Sequence, residues 1–506
     1  MSSSKNNLIA KNTMMLYIRL SIVMIVYLYT SRIVLKALGI EDYGIYNVVA
    51  GVITLFSFFN GALSSATSRF ITYELGRENR IGLEKNFRTA FTIHLILAGI
   101  ILILAETIGL WFVNNKLIIP VERLFAANII YQFSVLSCVV TIMQVPLNAE
   151  IIAHEKMTIY AYMGILDASS KLLIAFFINT CNSDKLIAYG FLLFVTTILL
   201  FLVYHIYCKR KFGEYNPSLF YDKSTFKGML SYSGWSLWGS MAYVLKDQGV
   251  NMALNIFFGP LVNAANAIAY QVNNAITNFS ANFTTAINPQ IFKTFAQGKY
   301  QETETLVHWG GKLSFLLVAI LGLPLILEIE YVLNIWLKEY PVYTPTFCKL
   351  IIILSWIESF NYSIGTAIQA SGKIKAYQLI VSGLSLFNLP LTYCAFKLGA
   401  NSFVALEIAI GISIITLIAR IFFIKKILGF SRVFYLKNVL GSSFLMIVTA
   451  LLICLFMQSN MEKSLSRFIF ISFLSTICNL LFFYLFIDKE YKTQIKSMLI
   501  KRIKRI

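Results

Sequence analysis

Apolar runs long enough to cross the hydrocarbon core as helices, about 20 residues each, follow one another along the chain with short polar breaks between them. Fourteen spans are expected, near 13–37, 43–68, 89–113, 124–148, 159–180, 186–208, 229–258, 263–288, 307–336, 344–370, 376–397, 402–424, 438–457 and 467–487. Most are interrupted by Gly, Ser, Asn or Pro, as in helices that pack against protein rather than facing lipid all round. No break exceeds about 20 residues. That leaves no room for a soluble catalytic domain, so an enzyme is not expected. Whatever the chain does, it does inside a helix bundle.

One break reads "LGIEDYGIYNVVAG" (38–51), with two acids, three glycines and no Lys or Arg. It has an echo in "GPLVNAANAIAYQ" (259–271) at a shift of 220. Both start with Gly (Gly39, Gly259) and reach a small residue five positions on (Gly44, Ala264). At the same shift "LSSA" (Leu63–Ala66) falls on "FTTA" (Phe283–Ala286). Ala153, Lys156 and Tyr160 match Ala370, Lys373 and Tyr377 at a shift of 217. Six spans separate the repeat starts, and an even number preserves orientation across the membrane. The expected architecture is therefore an all-α integral membrane protein of about 14 transmembrane helices, in two parallel six-helix lobes. The N-terminal lobe covers 1–210 and the C-terminal lobe 211–430. Residues 431–506 form an appended helix pair with a basic tail. Two such lobes would leave a cleft near the midplane.

Composition agrees. The chain is 58% hydrophobic and 13% charged, where a soluble protein would carry about a quarter charged residues. Mean hydropathy is +0.70. The net charge of +19 would suggest nucleic acid in a soluble protein. Here the charges sit between spans, so a topogenic role is expected and no nucleic-acid partner. With an inside N-terminus, the inside segments hold 28 of the 43 Lys and Arg and the outside loops hold seven. Both termini are therefore expected in the cytoplasm. The basic start has no A-x-A cleavage pattern, so the first run is expected to be a retained span. The seven cysteines are scattered without a CxxC, and the four histidines make no HxxxH or HExxH. No metal site or cofactor is read from them.

Polar positions inside the spans carry the candidate chemistry. Span 7 has Ser236, Ser240, Tyr243, Asp247, Asn251 and Asn255, at helical steps that place them on one face of an ideal helix. Span 8 carries Asn263, Asn266, Asn274, Asn278, Asn282 and Thr285, and span 2 carries Asn60, Ser64, Thr67 and Ser68. Interhelical hydrogen bonding is one reading. A stripe that runs most of a helix exceeds what packing needs, which favours a water-filled cavity. Intramembrane ionisable groups are costly and normally face a cavity or a partner. Arg19 and Lys246 are the candidate cavity cations, with Asp247 beside them in sequence. Asp167 and Lys171, spaced i, i+4, are a candidate ion-coupling or structural pair. Glu358 and Arg420 also lie within spans. Arg32 and Lys36 suit the outer interface, and Glu328 and Glu330 are expected to be interfacial as well. Cations on a polar-lined cleft point to an anionic, hydroxyl-rich substrate.

Five segments together resemble the polysaccharide-flippase (Wzx-type) branch of the multidrug/oligosaccharidyl-lipid/polysaccharide exporter superfamily. They are "LGIEDYGIYNVVAG", "FFGPLVNAANAIAYQV", "SATSRF", "LPLILEIEYVLNIWL" (323–337) and "IQASGKIKAYQ" (368–378). The resemblance covers spans 1 to 12. It implies a MATE-like pair of lobes that open alternately around a cationic cavity in a bacterial plasma (inner) membrane. It implies transbilayer movement of an undecaprenyl-diphosphate-linked oligosaccharide from the cytoplasmic to the outer leaflet. The expected partners are that substrate, membrane lipids, an H+ or Na+ gradient as candidate driver, and the polysaccharide polymerase machinery. In similar flippases a basic residue in span 1 and charged residues in span 7 contribute to the cavity, and Arg19, Lys246 and Asp247 occupy comparable places. An ion-coupled multidrug antiporter of the same superfamily is the alternative. A membrane glycosyl-polymerase or ligase is disfavoured because no sizeable outer loop is present.

Overall fold

The computed structural model describes residues 22–55, 63–64, 67, 70–71, 74–75, 79–154 and 156–486. These are helical almost throughout. In chain order the helices are α1 (Ile22–Leu38), α2 (Ile40–Thr54), α3 (Arg80–Asn115), α4 (Val121–Ala153), α5 (Met157–Asn179), α6 (Lys185–Lys211) and α7 (223–258). Then follow α8 (Pro260–Ala296), α9 (Tyr300–Trp336), α10 (Thr344–Ala370), α11 (Ile374–Lys397), α12 (Val404–Leu428), α13 (Arg432–Ser459) and α14 (Leu465–Phe486). Among the described residues ten of these are long and apolar enough to cross a membrane, and α1 with α2, bent by 117°, adds an eleventh if the pair is one broken span. The chain is thus a multi-pass membrane protein. α7 and α8 are long but are not among the ten; they are the helices that carry the asparagine stripes. Among the described residues two compact units pack internally: one runs to Ala267 and includes Leu389–Ser402, the other comprises Ile268–Asn388 and the residues from Phe403 to Phe486.

The backbone repeats where the sequence does. Gly39 has φ 83° and ψ 168°, and Gly259, 220 positions on, has φ 77° and ψ −174°. That region is open essentially to glycine alone. Each glycine ends one helix and starts the next. Lys156 (φ −82°, ψ 52°) and Lys373 (φ −88°, ψ 53°) likewise precede α5 and α11 in matching conformations. The two glycine turns come together through Gly44: a Cβ placed there would stand 2.0 Å from the carbonyl oxygen of Pro260. Backbone touches backbone at that point, so no side chain can yield.

In the first unit the connections gather at two ends. At one, Arg123 donates two hydrogen bonds to Asp42, at 2.8 and 2.7 Å, and two to Asp184, at 2.6 and 3.1 Å. This joins the start of α2, the start of α4 and the α5–α6 connection. Burial pushes the Asp184 carboxyl up, but hydrogen bonds from Arg123 and from the α6 backbone outweigh it and hold the group below the usual carboxylate range. At the other end, Lys85 pairs with Asp222 at 3.0 Å, Asn216 donates to Glu84 at 2.9 Å, and His154 meets Glu214 at 2.5 Å.

The second unit is organised around α9. Near one end, Glu304 accepts from the Ser431 backbone N–H at 2.9 Å. Near the other, Glu328 leaves the helical conformation (φ −114°, ψ 23°) and kinks the helix. Gln458 of α13 donates to the neighbouring Leu327 carbonyl at 2.8 Å and to Glu328 at 2.9 Å, and Arg467 of α14 donates to Glu328 at 2.7 Å. Glu330 pairs with Lys463 at 3.0 Å. Glu328 is 2% exposed, enclosed by the helices that pack on it. Its neighbours on α13 and α14 make burial tolerable.

Two stability predictions follow from these contacts. Gly44→Ala should lower the melting temperature and the folded yield, since overpacking costs about 1–3 kcal/mol. Gly99→Ala, where a Cβ would meet nothing within 4 Å, should change neither. Arg467→Met should cost about 3–5 kcal/mol by leaving a buried carboxylate without its charge partner, while Arg467→Met with Glu328→Gln should recover much of the loss. Thermal unfolding of the purified variants measures both.

Candidate functional site

Lys246 and Asp247 sit in a π-helical turn, Leu245–Gly249, that interrupts α7. A π turn fits one extra residue into the helix and turns all that follows relative to all that precedes. Lys246 is 7% exposed and Asp247 half-buried. On α2, Gly51 faces this turn: a Cβ there would come within 2.9 Å of Gln248 and 3.3 Å of Asn251. On the other side, Gly249 packs against Leu389, 2.7 Å from where its Cβ would stand. Small residues thus let α2 and the 389 segment close on the polar turn. α3 holds a second π turn at Ala105–Gly109, where the Tyr131 hydroxyl donates to the Ala105 carbonyl at 2.6 Å.

The asparagines divide into two groups. Asn251 is buried, and its side-chain oxygen accepts from Asn263 at 2.9 Å and from Asn266 at 3.2 Å. Asn263 also donates to the Asn251 carbonyl at 2.7 Å. Asn255 accepts from the Ile118 N–H at 2.7 Å and donates to the Ile118 carbonyl at 3.3 Å. These four amides fasten α7 to the start of α8 and to the α3–α4 connection. Further along α8, Asn274 and Asn278 are exposed, one turn apart. Their neighbour Asn273 faces inward and accepts from Ser355 of α10, and Asn288 accepts from Thr366 at 2.8 Å. An amide is costly against hydrocarbon, so the Asn274–Asn278 face suits water. Ser64 is half-buried. Arg19 and Asn60 lie outside the described residues.

Asp167 and Lys171 pair at 2.8 Å, and Lys171 also donates to the Tyr27 hydroxyl of α1 at 3.0 Å. The ammonium stands 5.5 Å from the centre of the Tyr27 ring. In the second unit Arg420 donates to Tyr377, the residue that matches Tyr160 in the repeat, and lies 5.3 Å from its ring centre. Glu358 accepts from Ser413 at 3.2 Å.

One cluster was not anticipated from the sequence. Glu150, His154 and Glu214 bring a side-chain ligand atom each to within 4.8 Å of one another. Burial pulls the His154 imidazole down, but the two carboxylates outweigh it and hold it above its ordinary value. Burial pushes Glu214 up, and hydrogen bonds, including one with His154, hold it below the usual carboxylate range. Glu150 and His154 are four apart in sequence, the only hint available, since Glu214 lies on another connection.

With this geometry in hand, the fold can be placed. No protein-family profile and no curated protein sequence matches the chain. Solved structures do match in fold. "Lipid II flippase MurJ, inward closed conformation" has a TM-score of 0.69 at 13% identity, covering 95% of this chain and 99% of that one. An inward-facing MATE family multidrug resistance transporter of the MOP superfamily has a TM-score of 0.65 at 14% identity, covering 82% and 98%. A MOP superfamily transporter from Pyrococcus furiosus has 0.60 at 14%, covering 83% and 97%. The chain therefore has the all-helical fold shared by MATE transporters and the MurJ flippase.

The division of the asparagines is open to test. Asn251→Leu should destabilise the protein by about 1–3 kcal/mol, because it removes the side-chain oxygen that accepts from Asn263 and Asn266. Asn274→Leu and Asn278→Leu, on an exposed face, should leave the melting temperature unchanged. Equal destabilisation at all three positions would remove the distinction.

Proposed function

We propose that the chain is a flippase that moves a lipid-linked oligosaccharide, carried on undecaprenyl diphosphate, from the cytoplasmic to the outer leaflet of a bacterial plasma membrane. The product would serve surface polysaccharide assembly, O-antigen being one such polymer, and would pass to a polymerase. The supporting observation is the extent of the fold match. The MurJ chain accounts for 95% of this chain and the MATE transporter for 82%. A lipid-linked glycan is also what the site chemistry suits. Lys246, and Arg19 with it, would hold the diphosphate. The exposed amides Asn274 and Asn278, with Ser64 and Asn60, would meet hydroxyl groups of the glycan. No bond is broken; the work is a population shift between inward- and outward-open states. Both termini would be cytoplasmic.

The MATE matches favour a second reading, an H+- or Na+-coupled multidrug antiporter, with Asp247 and Asp167 as the acids that would couple. Asp167 is engaged by Lys171, which suits a structural pair better than a free ion site. The two readings separate in one experiment. Arg19→Ala and Lys246→Ala, produced at wild-type levels in a host dependent on this chain for surface polysaccharide, should abolish the polymer and accumulate lipid-linked precursor inside. Normal export by both variants would refute the cavity assignment. Dye extrusion by reconstituted protein, driven by an ion gradient without any lipid-linked sugar, would favour the antiporter.

A further inference from the structure

We infer that Glu150, His154 and Glu214 form a zinc-binding site that fastens the end of α4 to the linker after α6. Glu150 lies in the last turn of α4, His154 is the residue on which that helix ends, and Glu214 lies in the irregular segment between α6 and α7. The i, i+4 spacing puts Glu150 and His154 on one face, and Phe212 stacks on the imidazole with ring centres 4.2 Å apart at 13°. The ring plane is thereby fixed, with Nε2 directed at both carboxylates.

The buried group that asks for a ligand is Glu150. Its side chain is 1% exposed, neither carboxylate oxygen is hydrogen-bonded, and the nearest cationic group, His154 Nε2, stands 3.3 Å from Oε1. An ionised carboxylate so buried costs several kcal/mol unless a cation compensates it or it takes up a proton. His154 can supply at most one positive charge, and Glu214, 2.5 Å from its Nε2, competes for it. With both carboxyls ionised, one imidazole leaves a deficit that a dication closes. A helix C-terminus, where this cluster sits, also favours positive charge.

The donor set and spacing suit zinc. Tetrahedral zinc with bonds of about 2.0–2.1 Å places its ligand atoms about 3.4 Å apart. His154 Nε2 and Glu150 Oε1 are 3.3 Å apart. Glu214 must withdraw from the imidazole by about 0.9 Å to reach the same spacing, a small change for a residue on an irregular segment. One imidazole with two carboxylates leaves a fourth position for water, and imidazole selects zinc over magnesium or calcium.

The test uses the full-length protein, purified in detergent, stripped with a chelator and titrated with Zn2+ against a chromophoric competitor. The titration is run above neutral pH, because loading displaces the imidazole proton. One Zn2+ per chain is expected. Glu150→Gln and His154→Ala should each weaken binding at least tenfold, and Glu84→Gln, at the same end of the unit, should leave it unchanged. Zn2+ should raise the melting temperature of wild type but not of Glu150→Gln. Should the variants fold poorly, the Co2+ spectrum of the wild type decides: weak d–d bands without thiolate charge transfer support the site. Strong charge transfer would put the metal on cysteine and overturn the proposal. It is overturned equally if the wild type binds no Zn2+ or if His154→Ala binds it as tightly. The three side chains would then be a proton-sharing ion-pair cluster.

Discussion

No water reaches the hydrocarbon core to solvate a polar group, so each such group inside a span must find a partner or open onto an aqueous space. That constraint decides where the unusual side chains of this protein go. The Asn251 side-chain oxygen takes hydrogen bonds from both Asn263 and Asn266. Lys171 takes both Asp167 and the Tyr27 hydroxyl. Glu328, at a break in α9, is covered by Arg467 and Gln458, and Gln458 also takes up the carbonyl beside the break. Asn274 and Asn278, exposed on α8, remain for water or substrate.

Much of this was legible in the sequence because apolar length and punctuation are local signals. Among the described residues helices fall where the apolar runs lie, with breaks at Gly39, Gly259, Lys156 and Lys373. The repeat read from loose matches at shifts of 220 and 217 returns as backbone: two glycines in a conformation other residues avoid, and two lysines with nearly identical dihedrals. The Asp167–Lys171 pair follows from i, i+4 spacing alone.

What escaped the sequence is long-range or out of phase. The stripe from Ser240 to Asn255 assumes an unbroken 100° step. The π turn at Leu245–Gly249 resets the phase in its middle, so Tyr243 is exposed while Asn251 and Asn255 are buried. The stripe is one line in the sequence and two in the molecule. Arg467 lies 139 positions from Glu328, too far for any local pattern to pair them. His154 and Glu214 are 60 apart and belong to different connections. Each of these groups also sits near a helix end, where a charged residue reads as interfacial unless its partner is known.

The Arg123 contacts have a mechanical meaning. Its guanidinium holds one carboxylate from the start of α2 and one from the α5–α6 connection through four charge-assisted hydrogen bonds, which are stronger than neutral ones. The three hairpins of that rim are therefore one part rather than three. A motion that splays them apart must break the clasp first, whereas a motion that carries them together leaves it intact. Flexibility at that end of the unit is thus confined to the rim as a body, and a single side chain sets how many moving pieces it has.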